Sequence, residues 1–206
     1  MNHIELFSGC GGLSIGLETA GFSLLTANEL SPMASETFAY NHLNADLEKK
    51  QNIDKVFWVS SSHSRSHISR RLRENPSDAV GLTCSHHSDL LENKPSSELL
   101  KRSLLVGSIV DINTILDSST EIGKKNKWLL KQLKSGLGDG SVDLVSGGPP
   151  CQSFSLAGMR DHTHHRNQLP GEFAKFVGLI KPRIALLENV SGILSPFTID
   201  GAKYYA

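Results

Sequence analysis

Short apolar runs that end in polar, Gly-rich or Pro-rich stretches recur along this chain and constrain its fold more than any other feature. The runs are His3 to Phe7, Phe22 to Ala27, Ser103 to Ile112, Ser141 to Gly147 and Arg183 to Asn189. Helix-like segments lie between them; Leu13, Leu17 and Ala20, for example, recur at helical spacing. This alternation predicts βαβ units around a mainly parallel sheet. Ligands of such sheets bind at the carboxyl ends of the strands, so those ends are the first candidates for a site.

Composition narrows the class of protein. The 206 residues are 38% hydrophobic and 20% charged, which is enough for one globular core. The net charge of +0 lacks the basic excess typical of nucleic-acid binders, so such a partner has to be argued from the sites. No apolar stretch approaches the roughly 20 residues that span a bilayer, so we expect no membrane role. Three widely spaced cysteines and a start without a secretion signal indicate free thiols in a reducing cytoplasm.

The stretch from about residue 46 to 102 differs in character from the rest. It is polar, Ser- and His-rich and of mixed charge, with little sustained periodicity, and we interpret it as an insertion between the second and third strands. Cys84, His86 and His87 lack the paired spacing of a zinc site, so solvated loop is the favoured interpretation and no metal site is expected.

A glycine cluster, "FSGCGG" from Phe7 to Gly12, follows the first run and opens a helix. Glycines let a backbone turn tightly and approach a ligand, and a helix N-terminus offers free N–H groups. The cluster therefore fits either a nucleotide-like cofactor site or a plain strand-to-helix turn. Glu29 follows the second run about 20 residues later, where such folds bind ribose hydroxyls. A helix N-terminal cap is the alternative role for Glu29.

Two further strand ends carry reactive groups. Cys151 follows the fourth run in "GGPPCQS", where Pro149 and Pro150 remove backbone donors and stiffen the turn, as suits a rigidly held nucleophile. Glu188 ends the fifth run, and we expect its carboxyl to be partly desolvated and able to donate a proton or a hydrogen bond at neutral pH.

In this order, "ELFSGCGGLSIGLE", "NEL", "GGPPCQSFSLAG" and "ENVSGIL" resemble the first blocks of the DNA cytosine-5 methyltransferase family. The resemblance covers Ile4 to Asn41 and about Asp143 to Leu194, and the Pro-Cys-Gln block is its most specific part. It implies an α/β fold with a Rossmann-like, S-adenosylmethionine-dependent methyltransferase core, in which a mainly parallel sheet is flanked by helices. It also implies duplex DNA as substrate, with cytosine flipped out of the helix, as in restriction–modification enzymes.

The resemblance assigns roles to the residues at the strand ends. Cys151 would add as a thiolate to carbon 6 of cytosine, so that carbon 5 can attack the cofactor's methyl group. Glu188 would contact ring nitrogen 3 and the exocyclic amine, stabilising the charge that develops. Further substrate contacts are implied for Pro150, Gln152, Ser153, Asn189 and Val190.

On the cofactor side, the resemblance places a loop and helix start around the methionine part, formed by Phe7, Gly9, Gly11, Gly12 and Leu13. Glu29 would bind the ribose, and Leu30 would pack on the adenine. Ser108 and Ile109 stand where the family often has Asp-Ile, so either Ser108 replaces the contact of that Asp or the adenine end is held differently. Leu169 would line the adenine pocket, with ordinary helix-start packing as the alternative.

The chain departs from the family's pattern after "ENVSGIL", since an Arg-containing block, a target-recognition region and a closing segment are not found in its 206 residues. We therefore expect residues 1–206 to form a partial catalytic domain, incomplete at its C-terminus and inactive alone. A truncated form, the product of a broken gene and one subunit of a split enzyme all fit, and the last needs a complementary chain.

Three alternatives stay open. A tRNA cytosine-5 methyltransferase would share the same blocks. A non-catalytic subunit of a split methyltransferase would keep the fold, although the presence of Cys151 and Glu188 argues against it. An NAD-type oxidoreductase would share the glycine turn and Glu29 but has no use for the Pro-Pro-Cys-Gln block.

Overall fold

The computed structural model describes residues 1–46, 49, 51–59, 88–150, 168–190, 197–199 and 202–204. Within this part of the chain, no helix combines the length and apolarity needed to cross a bilayer.

A parallel sheet of six strands organises the described residues. Its strands are β1 (Asn2–Leu6), β2 (Ser23–Glu29), β3 (Val56–Trp58), β4 (Ser103–Val106), β5 (Leu144–Gly147) and β6 (Ile184–Leu187). Their order across the sheet is β3-β4-β2-β1-β5-β6. The carboxyl ends are level, because Leu6 pairs with both Asn28 and Gly147, and Gly147 pairs with Leu187. A separate antiparallel hairpin follows, formed by β7 (Phe197–Ile199) and β8 (Ala202–Tyr204).

Helices cover both faces of the sheet. They are α1 (Gly12–Thr19), α2 (Pro32–Leu43), α3 (Asp89–Asn93), α4 (Ser97–Leu100), α5 (Ile109–Leu116), α6 (Glu121–Lys125), α7 (Lys127–Lys134) and α8 (Leu169–Ile180). Ile4 and Leu6 of β1 join the larger core cluster with apolar residues of α5, α7 and α8. Phe38 and Ala39 of α2 pack with Leu24 and other residues in a second cluster. The expected α/β fold, a Rossmann-like core, is confirmed.

The third apolar run divides into two elements. Only Ser103–Val106 is a strand, whereas Ile109–Leu116 is helix α5. The chain turns at Gly107, whose φ is 153°, and Ser108 then caps α5, its Oγ accepting a hydrogen bond from the Val110 N–H at 3.2 Å. Apolar residues continue through this turn, so the sequence pattern does not show the boundary.

The expected polar insertion at 46–102 needs correcting. The edge strand β3 lies within it, and so do three fully buried core residues, namely Val59, Leu90 and Leu100. These apolar residues stand in short groups among polar ones, and a strand of three residues is too short to give a periodic signal. Part of the stretch is therefore integral to the fold. Cys84, His86 and His87 lie outside the described residues.

Strand β6 forms the opposite edge of the sheet. It pairs with β5, and among the described residues no strand covers its other side. Ile184 is 57% exposed, Leu186 42% and Leu187 40%. An edge strand that carries exposed apolar side chains on both faces is a surface suited to pairing with another segment.

Two adjacent leucines of α4 test whether the stretch from about residue 46 to 102 contributes to the core. Leu100 is 0% exposed, whereas Leu99 is 39% exposed on the same helix. Leu100→Ala should lower the free energy of unfolding by about 2–5 kcal/mol, because a buried side chain is lost and a cavity remains. Leu99→Ala, the control, should change it by about 0.5 kcal/mol or less. Urea unfolding measures both, and equally small losses would show that the stretch lies outside the core.

Candidate active site

The loop between β1 and α1 has a tightly defined backbone. Phe7 and Gly9 both have φ of 54°, and Gly11 has φ of 92°, so three of its residues adopt the left-handed region. The Gly11 N–H donates to the Ser8 carbonyl at 2.9 Å, and the Ser8 N–H donates to the Asn28 carbonyl at 3.0 Å. These bonds fix the loop against the end of β2.

Gly11 has a second reason to be glycine. The buried His42 ring of α2 lies directly against it, so an added Cβ would overlap that ring. His42 is itself held by stacking on Phe38, with ring centroids 4.4 Å apart. The loop therefore rests on α2 as well as on β2.

The carboxylate of Glu29 joins the end of β2 to this loop. Its Oε2 accepts a hydrogen bond from the Gly9 N–H at 2.8 Å, and its Oε1 accepts one from the Ser31 N–H at 2.7 Å. The N-cap of α2 is Ser31, whose Oγ accepts from the Ala34 N–H, so Glu29 is not the capping residue. Each carboxylate oxygen has a further lone pair, which leaves acceptor capacity for ligand hydroxyls.

A cavity of about 550 Å³ opens at the carboxyl ends of the strands. Of the residues with a proposed cofactor role, those in its lining are Phe7, Glu29, Leu30, Ser108, Ile109 and Leu169. Pro150, proposed to contact substrate, lines it too. Gly9, Gly11, Gly12 and Leu13 lie outside the lining, in the loop and first turn of α1, and Gly9 contacts the cavity wall through its bond to Glu29.

The cavity wall combines apolar surface with a carboxylate. Leu30 is 64% exposed and Val110 is also exposed, so the wall presents apolar surface to a flat ring. Glu29 supplies carboxylate oxygens to hydroxyl groups beside that surface. A volume of this size is usual for small-molecule sites, and the position at the carboxyl ends of a parallel sheet is typical of cofactor binding.

Seven lining residues had no role in the sequence-based assignment: Asn28, Ser31, Gly107, Val110, Gly148, Gln168 and Glu172. Glu172 lies one turn after Leu169 on α8, so helical spacing is a signal that points to it. Its Oε2 accepts a hydrogen bond from Asn113 Nδ2 of α5 at 2.7 Å, and its carbonyl accepts another from the same atom at 2.9 Å. This pair joins α5 to α8 at the cavity wall.

The end of β5 leads towards the proposed nucleophile. The Glu188 N–H donates to the Gly147 carbonyl at 2.9 Å, and Asn189 Nδ2 donates to the Pro149 carbonyl at 3.4 Å. A Cβ on Gly148 would lie 2.8 Å from Glu188 Oε2, so this carboxylate sits against the Gly-Gly-Pro-Pro turn. The turn thus brings Glu188 against Gly148 and Asn189 against Pro149, while Cys151, Gln152 and Ser153 lie outside the described residues.

Glu188 is exposed, contrary to the partial desolvation expected from its place at a strand end. The reason is the position of β6, which is an edge strand with open faces. Asn189 is half-buried and Val190 is exposed, and the Val190 N–H donates to Asn189 Oδ1 at 2.8 Å. Among the described residues, the Glu188 end of the site is therefore exposed.

Comparison with known proteins identifies the family. A profile of C-5 cytosine-specific DNA methylases matches residues 1–62 and 114–198. The chain belongs to this family. It is 29% identical over 195 residues to the type II methyltransferase M.DdeI of Desulfomicrobium norvegicum, and 29% identical over 198 residues to DNA (cytosine-5)-methyltransferase 3 of Arabidopsis thaliana.

These alignments cover 95% and 93% of the chain, but only 29% and 12% of the two relatives. The chain thus spans less than a third of either relative's length. A crystal structure of a prophage-encoded DNA modification methyltransferase from E. coli is also similar, with 24% identity, a TM-score of 0.48, and coverage of 95% of this chain and 33% of that one.

Two adjacent glycines test the packing of the loop. Gly11→Ala should lower the free energy of unfolding by about 1–3 kcal/mol for its left-handed φ alone. The overlap of the added Cβ with the His42 ring should lower it further. Gly12→Ala is the matched control, since an added Cβ there meets nothing within 4 Å. It should leave stability unchanged or raise it by up to about 1 kcal/mol, as alanine favours a helix. Equal effects in chemical denaturation would contradict this packing.

Proposed function

We propose that this chain provides the cofactor site and the nucleophile of a DNA cytosine-5 methyltransferase. In this reaction a methyl group passes from S-adenosylmethionine to carbon 5 of cytosine in DNA. One observation carries the proposal: the cavity lined by Phe7 and Glu29 is also lined by Pro150, the residue before Cys151. A donor in the cavity and a thiol beside it would share one site.

The residues of the cavity suit S-adenosylmethionine, which supplies a methyl group on a positively charged sulfur. Glu29 would accept hydrogen bonds from the ribose hydroxyls while it keeps its bonds to the loop. Leu30 and Leu169 would enclose the adenine with apolar surface. Phe7 and the glycine loop would surround the methionine part, with Gly9, Gly11, Gly12 and Leu13 setting the shape of the loop.

On the substrate side, Cys151 would act as a thiolate that adds to carbon 6 of cytosine, which makes carbon 5 nucleophilic. Glu188, beside the Gly-Gly-Pro-Pro turn, would hydrogen-bond ring nitrogen 3 and the exocyclic amine. Pro150, Gln152, Ser153, Asn189 and Val190 would surround the base. A reducing, cytoplasmic location belongs to this proposal, since the thiol has to stay free.

Duplex DNA is the proposed substrate, with the cytosine extruded because its ring face is inaccessible in a stacked helix. The match to the DNA methylase family favours DNA over tRNA. M.DdeI is named as a type II methyltransferase, so a restriction–modification role is the corresponding proposal for this chain.

The exposed edge of the sheet supports a further partner. Ile184 and Leu186 of β6 offer apolar surface, and no other strand in the described part of the chain pairs with the outer side of β6. We infer that a polypeptide segment corresponding to the remaining length of the relatives, which we propose includes target recognition, covers this edge. The exposure of Glu188 agrees with a substrate side that such a segment completes.

Reconstitution tests the function. The 206-residue chain is mixed with a polypeptide that covers the remaining length of a family member, and transfer of labelled methyl groups from S-adenosylmethionine to duplex DNA is measured. We expect transfer only in the mixture, and a covalent adduct with DNA that carries 5-fluorocytosine, because fluorine cannot leave as a proton does.

Cysteine variants give the control for this experiment. Cys151→Ser should abolish both the adduct and methyl transfer, whereas Cys84→Ser should leave the adduct intact. An unchanged adduct in Cys151→Ser would disprove the assignment of the nucleophile, and sequence-specific methylation by the chain alone would disprove the need for a partner.

A further inference from the structure

A buried side-chain pair joins the two ends of the glycine loop. Glu5 lies on β1, two residues before Phe7, and is 2% exposed. Ser14 lies in the first turn of α1 and is fully buried. The Ser14 hydroxyl donates a hydrogen bond to Glu5 Oε2, so one side-chain contact closes the loop at its base.

The surroundings of Glu5 disfavour the ionised form of its carboxyl group. Burial raises its pKa to about 7, the nearby Glu18 of α1 adds to this rise, and the Ser14 hydrogen bond opposes it. Glu18 in turn lies 3.1 Å from the Arg102 guanidinium and 3.9 Å from His42 Nδ1. His3, on the same face of β1, is buried with its pKa lowered to about 4, first by desolvation and then by His42.

The side chains of His3, Glu5, Ser14, Glu18 and His42 form a polar cluster beside the loop. Apolar side chains at these positions would avoid the free-energy cost of burying polar groups. Burying a carboxyl group without a compensating hydrogen bond destabilises the fold through desolvation, and an alanine or leucine would avoid this cost. The feature that Glu5 supplies and an apolar residue cannot is an acceptor for Ser14. Through the bond between Glu5 and Ser14, the cluster joins the first turn of α1 to β1.

We propose that Glu5 is a positioning residue for the cofactor site: through Ser14 it holds the start of α1 against β1, so that the Gly9 N–H stays in reach of Glu29. The loop is then held at its base by Glu5 and at its tip by Glu29. This inference rests on the proposed function for the cofactor, but the position of the loop is a property of the chain itself.

The test uses the full chain and two readouts. Glu5→Ala and Ser14→Ala should each speed amide hydrogen exchange in the segment from Phe7 to Leu13 and weaken S-adenosylmethionine binding about 10-fold, the loss expected for one hydrogen bond to a carboxyl group. Thr26→Val is the control, because it removes another buried side-chain pair of the same sheet, between Thr26 Oγ1 and Ser103 Oγ at 3.0 Å. It should alter neither loop exchange nor affinity.

Rescue by the isosteric amide separates positioning from simple stability. Glu5→Gln keeps an oxygen acceptor for Ser14, so loop exchange and affinity should stay within about twofold of the original chain. The folded-state pKa of Glu5 is raised, so the original chain loses folding free energy as the pH rises from about 4.5 to about 7. Glu5→Gln does not ionise, so its melting temperature relative to that of the original chain should rise over this pH range.

The outcomes are distinct. Unchanged loop exchange in Glu5→Ala and Ser14→Ala would overturn the positioning role, whether or not the cofactor binds. Loss of affinity in Glu5→Gln equal to that in Glu5→Ala would also overturn it, since the acceptor would then be irrelevant. Altered loop exchange in a chain that binds no S-adenosylmethionine would refute the proposed function and leave the loop inference intact.

Discussion

The carboxylate of Glu29 is the interaction on which the site depends. It accepts N–H groups from Gly9 on one side and Ser31 on the other, so one side chain links the glycine loop to the start of α2. A carboxylate that accepts backbone donors is held firmly in place. Without it, the Gly9 and Ser31 N–H groups would lose their shared acceptor, and the glycine loop would lose this link to the start of α2.

The level strand ends explain how one site could hold both the proposed cofactor and the proposed substrate. Because β1, β2 and β5 end side by side, the glycine loop, Glu29 and the Gly-Gly-Pro-Pro turn meet at one edge of the sheet. The proposed cofactor side lies near the centre of the sheet, around the ends of β1, β2 and β4. The proposed substrate side lies near β6, an edge strand of the described sheet, where Glu188 is exposed.

Much of this was accessible from sequence, because strands and their ends are local features. Apolar runs predicted five of the six strands of the parallel sheet, and glycine and acidic residues at their ends marked the glycine loop, Glu29 and Glu188, while the role of Phe7 came from the family resemblance. Strand β3 and buried Leu100 escaped, since isolated apolar residues give no periodic signal. Contacts such as Ser14 with Glu5 escaped for another reason: they depend on how a helix crosses a strand, which residue types alone do not specify.

Titration of the chain with S-adenosylmethionine in a calorimeter is the most direct measurement of the central claim, that Glu29 and the glycine loop form the cofactor site. The original chain should bind one equivalent, and Glu29→Ala should bind about 10- to 100-fold more weakly, because hydroxyl contacts to a carboxylate and the tie to Gly9 are lost together. Glu121→Ala, which removes an exposed carboxylate of α6, should bind as the original does. Affinity of Glu29→Ala within twofold of the original would contradict the account.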